Sequence, residues 1–429
     1  MSTRRDIAAA PWTPSLGATG LRIVRIANFI APASGGLRTA LRELGAGYRA
    51  AGHEPVLIVP GPPPTGRGGA GAAGEPRGLS GLGIRSEHTA QGRVITVPAP
   101  VLPGTGGYRV LTDRRSLQRL LRALQPDRLE VSDRTTLRWT GEWARRARVP
   151  SVMVSHESVD GVLGTWGVPR FLARSTADRL NSRTAHAYSR VVCTTEWAAA
   201  EFTRVGARNV VLAPLGVDLA AWHPGCRSTA LRQHCAGRAA VLLVLSSRLS
   251  PEKRPGRALD TLAELRRRGV EAALVVAGDG PLRDRLEARV RAERLPAAFL
   301  GHLTDRARLA ALQASADVAL APGPAETFGL AALEALACGT PVIASASSAL
   351  AGLVGGGGDT ALDDSSSFAD AVQRVMARPE PARRAAARQR AEGYGWQPAV
   401  DAFLAAHDAP VDRRGVETGP AALPYPSGW

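Results

Sequence analysis

Short apolar runs alternate with helix-patterned segments along nearly the whole of this chain, and that alternation leaves few folds open. LRIVRIANFI (21–30) reads as a buried parallel strand. APASGG then supplies a glycine-containing turn, and LRTALRELGAGYRAAGH (37–53) places Leu37, Leu41, Leu44 and Tyr48 at helical spacing. PVLIVPG (55–61) is the next strand and completes a βαβ unit whose turn lies at the carboxyl edge of the sheet. GPPPTGRGGAGAAGEPRG (61–78) is a Pro/Gly-rich linker or surface loop. RVITVPAP (93–100), RLEVSD, PSVMVSH, RVVCTT and NVVLAPLG extend the pattern, with TDRRSLQRLLRALQP (112–126) as a basic amphipathic helix. After a connector, PLGVDLAAWHPGC (214–226), the rhythm returns in AAVLLVLSSRLS (239–250), AALVVAGDG (272–280), ADVALAPGP (316–324) and TPVIAS (340–345). The fold class expected is α/β, with two Rossmann-like domains facing each other across a cleft. The expected boundaries are a tail at 1–20, domains at 21–215 and 216–395, a terminal helix at 396–409 returning to the first domain, and a tail at 410–429.

The length of 429 residues suits two domains, and 45% hydrophobic against 21% charged residues supports a large core. No run approaches the ~18 consecutive apolar residues of a membrane span. MSTRRDIAAAPWTPSLGATG has a basic start but no apolar h-region, so it reads as a tail and not a signal peptide. Cys193, Cys226, Cys235 and Cys338 form no close metal-ligand pair, which suits thiols in a reducing cytoplasm. The formal charge of +16 is carried almost wholly by arginine in a chain rich in Ala and Gly, the bias that a GC-rich genome produces. Codon drift therefore accounts for part of it. The remainder suits a phosphate-bearing ligand, an anionic membrane surface or nucleic acid.

Lys253 is the only lysine of the chain. Where arginine has been accepted almost everywhere else, one retained ammonium points to a need for its compact charge. It lies in SSRLSPEKRPG (246–256), directly after an expected strand, so Arg248 and Lys253 project from the strand's carboxyl edge, where open α/β sheets bind ligands. A guanidinium and an ammonium there can neutralise a diphosphate leaving group as its charge develops. A solvated basic turn is the plainer alternative.

The second constellation is PGPAETFGLAALEALACGTPVI. Its apolar period marks a helix beginning near Phe328, Gly329 and Leu330, whose free N–H groups make an anion site. Glu326 precedes that helix and Glu334 lies about one turn inside it. One carboxylate can accept from hexose hydroxyls and the other from ribose hydroxyls. The alternative makes Glu326 a capping carboxylate and Glu334 an exposed helix residue, but Leu333, Ala335, Leu336 and Ala337 leave Glu334 little polar company.

With these motifs in place the sequence resembles the retaining glycosyltransferases of the GT-B fold in the group called family 4, over about residues 21–409. SGG (34–36), SHES (155–158), PLGVD (214–218), SRLSPEKRP (247–255), VAGDGP (276–281) and the E-x7-E pair Glu326 and Glu334 carry the resemblance. It implies that Arg248 and Lys253 bind the donor diphosphate, that Glu326 contacts the donor sugar, and that Glu334 contacts the ribose. It implies too that Phe328, Gly329 and Leu330 offer backbone N–H groups to the β-phosphate. Gly35 and Gly36 would form a loop facing the pyrophosphate from the other domain. His156, which alone would read as structural, would sit beside the donor sugar; Glu157 and Asp160 are neighbours to which the resemblance assigns no role. In such enzymes the leaving phosphate takes the acceptor proton in a same-face displacement. No D-x-D motif stands in a plausible site, so no catalytic metal and no cofactor beyond the sugar nucleotide is expected.

APGPAETFGLAALEALACGTPV and PGTGGYR (103–109) look most like actinobacterial GDP-mannose-dependent α-mannosyltransferases, some of which act on lipids. UDP-sugar enzymes of natural-product biosynthesis share the framework, so GDP-mannose or a UDP-sugar as donor, and a lipid or small molecule as acceptor, stay open. The helix at 112–124 sets Arg114, Arg115, Arg119 and Arg122 against Leu117, Leu120, Leu121 and Leu124. It could lie on an anionic bilayer, or simply cover the sheet. The expected location is cytoplasmic, with peripheral contact at the inner membrane face. A nucleic-acid-binding protein, the non-enzymatic alternative, lacks a recognition helix or an aromatic platform, so no nucleic-acid partner is expected. A sugar-nucleotide epimerase or hydrolase is the remaining enzymatic alternative.

Overall fold

The structure is a computed structural model that describes residues 20–29, 35–63, 83–102, 107–156, 158–159, 169–326 and 328–409. The tails at 1–19 and 410–429, most of the loop at 61–78, part of PGTGGYR, and Ser34, Glu157 and Asp160 lie outside the described residues.

Two sheets organise the chain. The first contains Arg22–Ile26 (β1), Glu54–Gly61 (β2), Arg85–Thr89 (β3), Gly92–Pro98 (β4), Arg128–Val131 (β5), Ser151–Ser155 (β6), Arg190–Cys193 (β7) and Val210–Leu212 (β8). Their spatial order is β3-β4-β2-β1-β5-β6-β7-β8, parallel throughout except for the hairpin of β3 on β4. The second contains Val241–Ser246 (β9), Ala272–Ala277 (β10), Ala297–Gly301 (β11), Val318–Ala321 (β12), Val342–Ser345 (β13) and Gly358–Ala361 (β14). These run parallel in the order β11-β10-β9-β12-β13-β14. Chain order reverses between β1 and β5 in one sheet and between β9 and β12 in the other, which is the doubly wound arrangement. VLLVLS of β9 and AALVVA of β10 are buried almost from end to end, as strands covered by helices on both faces must be.

The helix Arg114–Leu124 begins at Asp113, which caps the Ser116 N–H. Leu117, Leu120, Leu121 and Leu124 are each at most 4% exposed and belong to the core under the first sheet. That corrects one of the two expectations for this helix: its apolar face covers the sheet, and no leucine is left for a bilayer.

One feature of β1 is chemically unusual. Arg25 is 1% exposed in the middle of a buried strand, directly opposite Glu130 of β5, with Nε 2.7 Å from Oε1. The Glu130 carboxylate also accepts from the Tyr48 hydroxyl at 2.7 Å and meets His407 Nε2 at 3.1 Å. Burial alone would raise the Glu130 pKa, but Arg25, His407 and Tyr48 together hold it well below the usual carboxylate range. His407 comes from the far end of the chain. The helix Trp396–Ala406 packs along Gly36–Ala50, and Arg128 and Arg190 of the first sheet donate to the carbonyls of His407, Ala405 and Ala406. The chain thus crosses between the two sheets twice, and the crossings lie together. Val217 N–H donates to Tyr394 at 2.8 Å, and a Cβ on Gly216 would fall 2.6 Å from Trp396 backbone.

Candidate active site

Ligands of open parallel sheets collect beyond the carboxyl ends of the strands where chain order reverses. Here both reversal points open onto one cleft. The helix start after β1 meets the helix start after β12, where a Cβ on Gly36 would touch Leu330 Cδ1 at 3.9 Å. Tyr108, which follows β4, reaches Arg248, which follows β9. Arg306 Nη1 approaches Glu43 Oε1 to 3.8 Å.

Lys253 ends a single 3-10 turn, Pro251–Lys253, and its ammonium is 2.6 Å from Glu326 Oε1. The small size of Gly323 eases the approach of the two loops: a Cβ there would lie a tight 3.1 Å from Lys253 Cα. Both side chains remain partly exposed, 27% and 18%, and so stay within reach of a ligand. Glu326 is not a cap. Gly329 starts the helix Leu330–Ala337 with no side-chain bond, in a left-handed conformation (φ 72°) in which a Cβ would collide with Leu350 at 2.3 Å. Phe328 buries its ring edge-on to Tyr394, so only its backbone faces the start of the helix. Lys253, Glu326, Gly323 and Gly329 line one cavity together with Ser246 and Gln313. Ser246 Oγ and Gln313 Oε1 are buried without a hydrogen-bond partner among the described residues, which leaves polar groups available at the cavity wall.

Arg248 does not stand beside Lys253 as a free fork. Its Nη1 donates to the Tyr108 hydroxyl at 2.6 Å and its guanidinium lies 5.1 Å from that ring's centre. Phe29 meets Tyr108 edge-on at 6.3 Å. Tyr108 lies within PGTGGYR, and nothing local in the sequence says that it crosses the cleft. Tyr108→Phe keeps the ring and removes the hydrogen bond. The donor KM should rise about tenfold with kcat nearly unchanged, and Tyr108→Ala should rise further; equal KM values in steady-state assays would dismiss this contact.

Gly36 is the first residue of the helix Gly36–Ala50 and Gly35 its cap, so the pair stands where the connection after β1 runs into the helix start. His156, at the end of β6, is 3.2 Å from Ser132 Oγ at the end of β5. Burial lowers its pKa to about 4; Glu130 pulls upward, while Arg25 and Arg134 add to the lowering. Its imidazole is therefore neutral near pH 7, able to offer hydrogen bonds but not a charge.

Glu334 is half-buried, and burial raises its carboxyl pKa to about 7 against the pull of Arg306 and Arg42. Neither arginine was singled out from sequence, because both reach Glu334 only through folding. A native pKa above the unfolded value of 4.5 means that the folded chain holds a proton which the unfolded chain releases. This group therefore lowers stability as pH rises from about 4.5 to about 7. Glu334→Gln should melt above wild type at about pH 8 and converge with it near pH 4.5. A Tm gap that does not widen with pH would contradict this. Among the described residues no group of three or more His, Cys, Asp or Glu is placed to hold a metal ion.

Comparisons with known proteins agree with this geometry. Residues 35–216 match the family described as glycosyl transferase 4-like domain, and residues 237–392 match glycosyl transferases group 1. The chain is 48% identical over 386 residues to a Mycobacterium tuberculosis GDP-mannose-dependent alpha-(1-6)-phosphatidylinositol dimannoside mannosyltransferase, covering 90% of this chain and 95% of that one. It is 29% identical over 332 residues to a GDP-mannose-dependent alpha-mannosyltransferase of the same species, covering 76% and 79%. Sucrose-phosphate synthase from Thermosynechococcus elongatus shares the fold, with TM-score 0.68 at 22% identity over 90% of this chain and 98% of that one. Anabaena HepE in complex with UDP and glucose does so with TM-score 0.65 at 18% identity, covering 90% and 98%. Two facing parallel sheets, a cavity at the second reversal point and a relative matched across both domains identify this chain as a glycosyltransferase of the GT-B fold, a member of the glycosyl transferase 4-like and group 1 families.

Proposed function

We propose that this enzyme transfers mannose from GDP-mannose, with retention of anomeric configuration, to the head group of a phosphatidylinositol mannoside or a closely related lipid. The 48% identity to a mannosyltransferase of that donor and acceptor carries the reading, because it runs through the donor and the acceptor domain alike.

In this reading the diphosphate enters the cavity beyond β9 and β12. Lys253 turns from Glu326 to the phosphates, joined by Arg248 and by the backbone N–H groups of Phe328, Gly329 and Leu330. Glu326 is thereby released to accept from the mannose hydroxyls, and Glu334 accepts from the ribose. Gly35 and Gly36 face the diphosphate from the first domain, and His156 orients the sugar. The acceptor oxygen bonds to the anomeric carbon as its bond to the diphosphate breaks, and the acceptor proton passes to the departing phosphate oxygen. Stabilising that leaving group is the main electrostatic task. The reaction belongs to the cytoplasmic face of the membrane, where peripheral contact would bring enzyme and lipid together.

Incubation with GDP-mannose and a detergent-dispersed phosphatidylinositol mannoside should yield GDP and a lipid with one further α-mannose, read by mass spectrometry and NMR. GDP should raise Tm by mass action more than UDP does. Transfer from a UDP-sugar instead, or to a small-molecule acceptor alone, would overturn the reading.

A further inference from the structure

Seven large apolar side chains are notably exposed among the described residues, and all seven lie at the carboxyl edge of a sheet. Val101 and Leu102 follow β4, Phe171 and Leu172 open the helix between β6 and β7, Trp197 opens the helix after β7, and Leu212 ends β8. Leu362 follows β14 in the second sheet. Single exposed apolar residues are ordinary and would scatter over both edges. Here the opposite edges carry none among the described residues.

The exposure is concentrated beside the neighbouring strands β6, β7 and β8, and for Phe171 and Leu172 it goes with a mismatch of lengths. The helix Arg170–Ala187 has 18 residues, about 27 Å at 1.5 Å each. β7, which follows it, has four residues and spans only about 13 Å. The helix's first turn therefore extends beyond the sheet. Ala173 and Ala177 still pack inward at 2% and 0% exposure, whereas Phe171 is 72% and Leu172 48% exposed. Arg174, Arg179 and Arg183 are exposed farther along the same helix. From Phe171 the rise is about 4.5 Å to Arg174 and about 12 Å to Arg179, which brackets the roughly 5–10 Å to which an interfacial apolar face is buried.

We propose that this rim, led by Phe171 and Leu172 with Trp197 beside them, docks the enzyme on an anionic bilayer. The first turn of the helix enters the lipid and the arginines behind it meet head-group phosphates. The proposal rests on the lipid-acceptor reading for its purpose: the rim borders the mouth of the cleft, so docking would present a head group to the site while its acyl chains stay in the membrane.

Flotation of the full-length enzyme with vesicles of phosphatidylcholine containing about 20% phosphatidylinositol tests it. Wild type should float with these and at least about tenfold less with pure phosphatidylcholine, the expected loss when basic residues have no anionic lipid to meet. Phe171→Ser/Leu172→Ser should lose about tenfold or more in the bound fraction, since two large side chains leave the lipid. Its Tm and its transfer to a soluble mannosylated inositol-phosphate acceptor should be unchanged. Trp197→Ser alone should give a smaller loss in the same direction, which keeps the test open if the double variant folds poorly. Absence of wild-type flotation, or equal flotation of wild type and both variants, overturns the rim. Failure to glycosylate lipid dispersed in detergent would overturn the acceptor reading instead, since that assay needs no docking.

Discussion

Lys253→Ala is expected to lower kcat/KM for the sugar nucleotide by about 10³-fold, the scale for deleting one preorganised group that meets developing negative charge. Stability should hardly change. The Lys253–Glu326 bridge is partly exposed on both sides, and such pairs contribute at most about 1 kcal/mol. Tm should therefore stay within about 2 °C of wild type. Lys253→Arg should remain well below wild type despite its charge, because a planar fork cannot take the place of a compact ammonium within the 3-10 turn Pro251–Lys253. Glu326→Ala should fall by a comparable factor. If the two residues act on one transition state, the double variant should lose much less than the product of the single losses. Single-turnover rates near wild type for Lys253→Ala, or an activity loss matched by a large fall in Tm, would remove this pair from the site.

The second large effect lies outside the cavity. Gly278→Ala should cut kcat/KM by about 10²-fold, the cost of moving a catalytic group by roughly 1 Å. The Cβ it adds would stand 1.8 Å from the Ser247 carbonyl oxygen, and its nearest neighbours are all Ser247 backbone, with no side chain to rotate away. The loop after β10 clasps the loop that carries Arg248: Ser247 N–H donates to Ala277 and Leu249 N–H to Asp279. The added methyl must push these loops apart and displace Arg248. Overpacking of this kind costs about 1–3 kcal/mol, so Tm should fall by about 5 °C. Gly35→Ala is the informative control, because no described atom lies within 4 Å of a Cβ there and its backbone is already helical. It should leave Tm unchanged. Equal activity of wild type and Gly278→Ala would show that the Arg248 loop need not hold this position.

Much of this was legible in the amino-acid order because it is local. The apolar runs that became β1, β9 and β10 could be recognised one by one, since a strand buried on both faces leaves its mark on every residue. The E-x7-E spacing, the glycine at 329 and the single lysine were likewise visible, each tied to a strand end or a helix start. β3 was missed: RSEHT is a polar edge strand that exists only because β4 pairs with it. The leucines of Arg114–Leu124 signalled an apolar face but not its direction, and only packing showed that it turns inward. The buried Arg25 looked like an ordinary part of an apolar strand until register set it opposite Glu130 and the terminal segment brought His407 to the same carboxylate.

The sequence by itself determined two doubly wound halves, the loops that bear chemistry, and the pair Glu326 and Glu334 at a helix start. Tertiary structure decided what those groups meet: Lys253 on Glu326, Arg248 on Tyr108, and Arg42 and Arg306 near Glu334. The physical reason is range. Strand burial, helix periodicity and glycine turns are set by neighbours a few residues away, whereas a charge pairs with whatever the folded chain brings within a few ångströms, and here much of that comes from the other domain.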